Sequence, residues 1–206
     1  MITQYHHKFV DPSSSALPDD GLVQVELLHG SPIPNPLRDF LRRFQGSVIN
    51  YAIRIETDDG PWTVPMHTIL SVGPDEREST RQPSSIHGFM QFNAQMHGIP
   101  THYIPFGFFL PGIPLLCDTT DCSCPILMFG TDLDTDDDVV TIFSSFNDYV
   151  DAWYVDDDSI CSRIRLAAEN RIDTKNSLPF LEWLDAAVPG WRSRYADACP
   201  GIANDQ

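Results

Sequence analysis

Residues 33–47 read Ile-Pro-Asn-Pro-Leu-Arg-Asp-Phe-Leu-Arg-Arg-Phe-Gln-Gly-Ser, which contains the start, the apolar stripe and the stop of one amphipathic helix. Asn35 is a preferred N-cap residue, and Pro36 falls at the first helical position, where its missing N–H costs nothing. Apolar side chains recur with helical spacing at Leu37, Phe40, Leu41 and Phe44. Gly46 favours the left-handed conformation that ends a helix. We therefore predict a helix capped by Asn35, ending at Gly46, with one face on a hydrophobic core.

The composition indicates one globular domain. The chain has 206 residues, of which 42% are hydrophobic, and this is enough to bury a core of ordinary size. No apolar run approaches the roughly 20 residues that a membrane-spanning helix needs, and residues 1–10 lack the apolar stretch of a signal peptide. The five cysteines are an odd number without framework spacing, so we expect reduced thiols. We expect a soluble, cytoplasmic chain that forms a single domain over residues 1–206.

The net charge limits the kinds of partner. A formal charge of −16 and a pI near 4.5 repel nucleic acid and anionic membrane surfaces. We therefore expect no nucleic-acid partner and no membrane partner, whereas a basic protein would be attracted. The alternative is that the acidity serves solubility alone.

The first half of the chain alternates helical and strand patterns. Residues 1–20 are mixed and polar and read as a loose arm. Leu22–His29 fits either a short helix or an extended lead-in. After the opening helix, apolar and polar residues alternate over residues 50–56, which is the pattern of a half-buried strand. Asp58-Asp59-Gly60 then predicts a hairpin turn, and Trp62–Ile69 would return as the second strand.

The second half predicts further strands followed by helices. A helix over Ile86–His97 precedes four short apolar runs bounded by Pro, Gly or Asp. These predicted strands are Tyr103–Phe109, Leu115–Cys117, Ile126–Phe129 and Val139–Phe143. A second amphipathic helix follows Ser144 and Ser145, which are good caps, and it carries its apolar residues at Phe146, Tyr149, Val150 and Trp153. The tail has three helical candidates, namely Ile160–Asn170, Leu178–Val188 with Ser177 as cap, and Trp191–Ala198.

This order of elements resembles that of the SUKH superfamily, and individual residues match at two places. In the opening helix, the family's Leu-Pro, charged pair, Phe-Leu and Asn-Gly correspond to Ile33-Pro34, Arg38-Asp39, Phe40-Leu41 and Gln45-Gly46. Tyr103–Gly107 is similar to the family's Ile-Pro-Phe-Gly turn. The segments after it are similar to its paired strands and its Ser-Ser-Phe helix start, and they are Leu115–Asp118, Pro125–Phe129 and Ile142–Val150.

The resemblance covers about residues 22–154 and implies a fold and a function. The implied fold is α+β, with a mixed, mostly antiparallel twisted sheet and flanking helices; residues 155–206 would add a helical C-terminal extension. Many members are immunity proteins that neutralise a bacterial toxin, and fungal relatives regulate cell-wall synthesis, so the resemblance implies a binding protein and not an enzyme. The chain departs from the family pattern at Phe108-Phe109, at Gly130 and from Asp156 onward.

Two acidic clusters and one aromatic pair are candidate contacts for a partner. The acidic residues are Asp132, Asp134, Asp136, Asp137, Asp138, Asp156, Asp157 and Asp158. They either form solvated turns or present carboxylates to a basic partner and steer its approach. The aromatic pair, Phe108 and Phe109, would be either an exposed hot spot or core packing of a strand.

Patterns for metal binding and catalysis are incomplete. The run that begins at Asp132 starts like a calcium loop, but Asp137 stands where the loop needs glycine and Phe143 where it needs glutamate. Cys117, Cys122 and Cys124 match none of the usual zinc spacings. No Ser or Cys lies in a nucleophile context, and no glycine-rich phosphate loop occurs. We expect no metal site, no cofactor and no catalytic residue.

Three hypotheses follow. The leading one is an immunity protein that binds and neutralises a cognate bacterial toxin, either a basic nuclease or a deaminase, by protein–protein contact. The alternative is a scaffold or regulatory interaction protein of the same superfamily that has no toxin partner. The third, an aspartate-dependent metallohydrolase, ranks last.

Overall fold

The computed structural model describes residues 2–10, 21–57, 60–65, 67–72, 85–96, 100–110, 113–129, 139–168 and 174–198. The helices are Gly21–His29 (α1), Asn35–Phe44 (α2), Ile86–Met96 (α3), Phe146–Asp151 (α4), Asp157–Ala168 (α5), Thr174–Ala187 (α6) and Trp191–Arg194 (α7), with a short 3-10 helix at Ala196–Ala198. The strands are Thr3–Tyr5 (β1), Lys8–Val10 (β2), Val48–Ile49 (β3), Ile53–Thr57 (β4), Gly60–Val64 (β5), His67–Ile69 (β6), Tyr103–Leu110 (β7), Ile113–Asp118 (β8), Ile126–Phe129 (β9) and Val139–Phe143 (β10).

The main sheet has six strands in the order β10-β9-β8-β7-β6-β3, and its strand pairs are antiparallel. Strands β1 and β2 form one separate hairpin, and β4 and β5 form another. The predicted strand Trp62–Ile69 is divided between two sheets, because β5 pairs with β4 whereas β6 joins the main sheet between β7 and β3. The predicted α+β class with C-terminal helices is confirmed.

The opening helix forms as its apolar spacing predicts, but its cap is different. Its four apolar residues, Leu37, Phe40, Leu41 and Phe44, are fully buried. Asn35 is the first helical residue, and the N-cap is Pro34, whose carbonyl accepts a hydrogen bond from the Arg38 amide at 2.9 Å. The predicted Asn35 cap is therefore wrong. Gly46 does adopt the predicted left-handed conformation, with φ of 70°.

Aromatic side chains join the two amphipathic helices to the sheet. The rings of Phe40 in α2 and Phe146 in α4 have centroids 5.1 Å apart. Phe106 in β7 lies 5.9 Å from Phe146 and 5.6 Å from Tyr149. Ser145 caps α4 as predicted, since its hydroxyl accepts a hydrogen bond from the Asp148 amide. These contacts place α2 and α4 together over the middle of the main sheet.

The Ile-Pro-Phe-Gly segment is not a turn. It lies inside β7, where the pairing with β8 shifts register between Pro105 and Gly107. A Cβ atom added at Gly107 would lie only 2.8 Å from the backbone oxygen of Thr68 in the neighbouring strand. Glycine is therefore needed here for close approach of two backbones. The predicted strand Tyr103–Phe109 is present and contains a bulge, whereas the turn implied by the family resemblance is not formed.

The N-terminal residues are also more ordered than the sequence pattern predicts. Residues 3–10 form the β1-β2 hairpin, so the prediction of a loose arm is wrong for this part, whereas residues 11–20 lie outside the described residues. The Phe9 amide donates a hydrogen bond to the Tyr51 hydroxyl at 2.9 Å. On the other side, the Trp183 indole donates to the Phe9 carbonyl at 2.8 Å. The hairpin thus lies between the core and α6.

The C-terminal helices share the hydrophobic core with the rest of the chain. Phe180, Trp183, Leu184 and Trp191 belong to the same cluster of buried residues as α2 and the main sheet. The single domain over residues 1–206 stays a prediction. The last helices begin and end differently from the prediction, because α6 starts at Thr174, so that Ser177 lies within the helix and not at its cap. Among the helices in the described part of the chain, none has the length and apolar character that crossing a membrane requires.

Candidate partner-binding site

One stretch of the chain carries most of the negative charge. Residues 82–162 contain twelve aspartates and neither lysine nor arginine, so they hold −12 of the formal −16. This stretch builds α3, strands β7 to β10 and α4. The twelve are Asp118, Asp121, Asp132, Asp134, Asp136, Asp137, Asp138, Asp148, Asp151, Asp156, Asp157 and Asp158.

Two of these aspartates lie at the end of β8 and in the connection that leads to β9, since Asp118 is the last residue of β8 and Asp121 follows it. The Asp118 carboxylate accepts hydrogen bonds from the amide and the hydroxyl of Thr120, at 2.8 and 2.7 Å. The Asp121 carboxylate accepts one from the Ser123 amide at 2.8 Å. Bonds of this kind hold a tight turn, so both carboxylates are fixed in place by the local backbone. Hydrogen bonds from Ser123 also hold the pKa of Asp121 below its ordinary value.

A third aspartate, Asp148, lies in the first turn of α4. Its carboxylate accepts a hydrogen bond from the Ser144 hydroxyl, while its amide donates to the Ser145 hydroxyl at 3.0 Å. Hydrogen bonds from these two serines lower the pKa of Asp148. A carboxylate at this end of a helix is favoured by the peptide dipoles, and serine at the cap satisfies one free amide.

Ser123 joins the β8-β9 connection to the start of α4. Its hydroxyl donates to the Ser144 carbonyl at 3.3 Å, and its own carbonyl accepts from the Phe146 amide at 2.9 Å. The turn that holds Asp121 is therefore bonded to the helix start that holds Asp148. We call Asp118, Asp121 and Asp148 the acidic rim. The pKa values of Asp121 and Asp148 are lowered, so these two carboxylates are ionised at neutral pH, and both are exposed on the surface.

The predicted aspartates near α5 have mostly internal partners. Asp156 accepts a hydrogen bond from the Ser159 amide at 3.0 Å, which is a helix-capping contact. Asp157 forms an ion pair with Arg194 at 2.7 Å and accepts a hydrogen bond from the Tyr195 hydroxyl at 2.7 Å. These partners lower the pKa of Asp157. Only Asp158 is exposed without a described structural role, so this cluster offers a partner less charge than its sequence predicts.

The two predicted aromatic contacts differ from each other. Phe109 is 3% exposed and belongs to the core. Phe108 is half-buried and packs against Phe89, with ring centroids 5.5 Å apart. Phe109 is therefore a packing residue in the isolated chain, and Phe108 alone has part of its ring at the surface.

The second predicted acidic cluster lies in the sequence between β9 and β10. Asp132, Asp134, Asp136, Asp137 and Asp138 lie outside the described residues, as does Gly130. In the part of the chain that is described, no group of three or more His, Cys, Asp or Glu side chains is placed to hold a metal ion.

The three clustered cysteines lie in different environments. Cys117 and Cys124 are buried, whereas Cys122 is exposed. Burial raises the pKa of the Cys117 thiol, and a hydrogen bond with Cys124 raises it further. Cys117 is therefore a small, fully buried residue of the core.

A surface depression of about 410 Å³ lies between the N-terminal hairpin and the starts of α2 and α4. Its charged lining residues are Asp39 and Arg43, and the Arg43 guanidinium lies 5.9 Å from the centre of the Tyr5 ring. Because both charge signs are present, this depression does not select an ion of one sign. It is less informative about a partner than the acidic rim.

The acidic rim is missing from the sequence prediction. Its aspartates are separated in the sequence and adjoin only because the β8-β9 connection meets the start of α4. One signal was nevertheless available, namely the absence of lysine and arginine over residues 82–162.

Comparison with known proteins gives a family. A model of the SMI1 / KNR4 family (SUKH-1) matches residues 17–152, which is well over half of the chain. Searches of curated proteins and of solved structures find no match.

Proposed function

The chain belongs to the SMI1 / KNR4 family (SUKH-1), and from that membership we propose that it is an immunity protein that binds and neutralises a cognate bacterial toxin. The membership is consistent with an immunity-type function and with a protein as partner. We further propose that the toxin is basic, that the contact lies in the cytoplasm of the cell that makes both proteins, and that neutralisation results from binding and not from catalysis.

The observation that supports a basic partner is the acidic rim within a stretch that has no lysine or arginine. Asp121 and Asp148 have lowered pKa values, so they remain charged through the physiological range. No cation within residues 82–162 of the sequence offsets them. Exposed carboxylates attract a positively charged protein over about a Debye length and raise the rate of productive encounter.

The fixed geometry of the rim also favours binding. The carboxylates of Asp118 and Asp121 are already held by turn hydrogen bonds, so little side-chain freedom remains to be lost when a partner binds. Arginine and lysine side chains on a nuclease or deaminase, which bind nucleic-acid phosphates, would pair with carboxylates in the same way. An immunity protein that occupies such a groove would block the toxin's substrate.

Co-expression tests this proposal. The probe is the basic C-terminal segment of a large protein encoded by a reading frame beside this gene, expressed in cells with and without the chain. We expect growth to stop with the segment alone and to recover when the chain is present. A double substitution, Asp121→Lys with Asp148→Lys, should weaken rescue, whereas Asp197→Lys, outside the aspartate-rich stretch, should not. Continued growth arrest in the presence of folded wild-type chain would contradict the proposal.

A further inference from the structure

Strand β10 ends the main sheet on one side. It pairs with β9, and the described residues place no strand along its other edge. Its sequence, Val-Val-Thr-Ile-Phe, contains no charged residue and no proline, which are the usual means of blocking an edge strand. The opposite edge of the sheet is β3, which has only two residues, Val48–Ile49. The sheet therefore has one short edge and one longer edge that is suited to pairing.

The two ends of β10 have different packing. Ile142 and Phe143 pack against the core, and the Phe143 ring lies 5.8 Å from that of Tyr149. Val139 and Val140 are half-buried and Thr141 is exposed. The register with β9 is regular from Val139 to Thr141 and shifts before Phe143. The exposed residue of β10, Thr141, therefore lies in the regular part of the edge.

The negative charges close to β10 in the sequence determine what kind of strand can pair with this edge. Asp148 of the acidic rim lies five residues after Phe143, and the sequence between β9 and β10 adds five aspartates. Two copies of the chain paired through β10 would bring these negative charges together, which disfavours self-association. An extended segment rich in arginine or lysine would instead gain both backbone hydrogen bonds and opposite charges.

We infer that β10 is the docking edge for an extended, basic segment of the partner, which adds to the main sheet as a seventh strand next to Val139–Thr141. The inference rests on the proposed function for the identity of the partner, but the edge and its charge belong to this chain alone. Backbone pairing would supply the register, and the aspartates that flank β10 in the sequence, on both its N-terminal and its C-terminal side, would supply the attraction.

A peptide titration tests the docking edge without the toxin. The probe is a seven-residue peptide in which arginine and valine alternate, added to the full chain at low salt while backbone amide shifts are followed by NMR. We expect saturable shifts at the amides of Val139–Thr141. A peptide of equal charge with proline in place of its central valines cannot add as a strand, and it should leave these amides unshifted. Absence of shifts at Val139–Thr141, or equal shifts with the proline peptide, would overturn the inference.

Two matched variants separate edge pairing from general attraction. Thr141→Lys and Val48→Lys each add one positive charge at an exposed β-branched residue of an edge strand in the same sheet. Thr141→Lys should weaken peptide binding about fivefold, because a like charge would lie beside the added strand. Val48→Lys should change the affinity by less than about twofold. Equal weakening by both variants would overturn the inference.

The outcome is independent of the co-expression test. Peptide pairing at β10 without rescue of toxin-expressing cells would contradict the proposed function and leave the docking edge intact. Rescue without peptide pairing would support the immunity function and overturn the docking edge.

Discussion

The indole Nε1 of Trp183 donates a hydrogen bond to the backbone carbonyl of Phe9 at 2.8 Å, although 174 residues separate the two in sequence. The contact ties α6 to β2, and the Trp183 ring also packs edge-on against Tyr51 with centroids 5.2 Å apart. The N-terminal hairpin and the C-terminal helices therefore support each other. Deleting residues 156–206 would expose this part of the core, so such a deletion cannot separate a partner-binding role of the extension from its role in folding.

Replacing Trp183 by a smaller side chain should lower the free energy of unfolding, and alanine should lower it more than phenylalanine. Trp183→Phe removes the hydrogen bond to Phe9 and should cost about 1 to 2 kcal/mol, because the carbonyl loses its partner while most of the ring remains. Trp183→Ala also removes a fully buried ring and should cost about 3 to 5 kcal/mol. Urea unfolding followed by circular dichroism measures both. Trp62→Phe, at a half-buried tryptophan of the β4-β5 hairpin, is the control, and an equal loss there would contradict a special role for Trp183.

Adding one methyl group at Gly107 should destabilise the main sheet. The new Cβ atom of Gly107→Ala would lie 2.8 Å from the Thr68 carbonyl oxygen, which is backbone and cannot rotate away. We expect a loss of about 1 to 3 kcal/mol, as for other overpacked sites. Thermal unfolding measures it, and a melting temperature equal to that of the wild type would show that β6 and β7 are not as close as described.

The substitution Ser145→Ala should weaken the start of α4. The serine hydroxyl accepts a hydrogen bond from the Asp148 amide at 3.0 Å. Loss of this hydrogen bond should lower the free energy of unfolding by about 1 kcal/mol. Ser145→Asp supplies another oxygen for the same amide and serves as the matched control. If the alanine and aspartate variants unfold at the same urea concentration, the capping bond does not contribute to stability.

Stability should fall at alkaline pH because buried tyrosines resist ionisation. Burial raises the pKa of Tyr5 from its ordinary 10 to about 12, and it also raises the pKa of Tyr51 and Tyr149. A group whose folded pKa lies above its unfolded pKa contributes stability below the unfolded value and loses it as pH rises toward the folded value. We therefore expect the free energy of unfolding to decrease between about pH 10 and pH 12.

Two groups oppose this trend. Burial lowers the pKa of Arg163 to about 10 and also lowers the pKa of Lys8, so the unfolded chain binds more protons at these positions and stability gains as pH rises. Burial raises the pKa of a fourth tyrosine, Tyr195, and with four tyrosines against two basic groups the net change remains a loss. Urea unfolding from pH 8 to 12 measures it, and Tyr5→Phe should reduce the slope. A stability that does not change up to pH 12 would contradict the assigned burial of these rings.

How much of this fold the sequence predicts depends on the range of the interactions. The helix α2 and the cap of α4 follow from residues within one or two turns, so Phe40, Phe44 and Ser145 are predicted correctly. The β1-β2 hairpin is not predicted, because its stabilising partners, Tyr51 and Trp183, are distant in sequence. The strand that contains Gly107 is predicted, but the need for glycine at this position is not, because its close neighbour Thr68 belongs to another strand.

In the candidate site, too, the sequence predicts some features, whereas others depend on residues that are distant in sequence. The acidity of the chain is plain from its sequence, yet in the described run of adjacent aspartates, residues 156–158, two carboxylates have partners within the chain. Asp157 is paired with Arg194, and Asp156 caps a helix. The acidic rim instead depends on Ser123, which bonds one turn to the start of another element. Such a site requires the tertiary fold and is not visible in a local pattern.

The acidic rim should control the rate of binding more than the stability of the chain. Asp121→Asn and Asp148→Asn together remove two exposed charges, and we expect association with a basic toxin segment to slow about five- to tenfold at low salt, with the difference shrinking as salt is added. Stopped-flow mixing measures the rate. Asp197→Asn is the control, and an equal slowing by that variant would mean that overall charge, and not the rim, steers binding.

Neutralisation of a toxin by binding requires that the chain inhibit the toxin in proportion to its amount, and a titration of toxin activity measures this. Purified chain is added in steps to the purified toxic segment encoded beside its gene, and the remaining activity of the segment is measured. We expect the activity to fall linearly to zero at about one molar equivalent, as for tight one-to-one binding. Full activity of the segment at a tenfold molar excess of folded chain would contradict it.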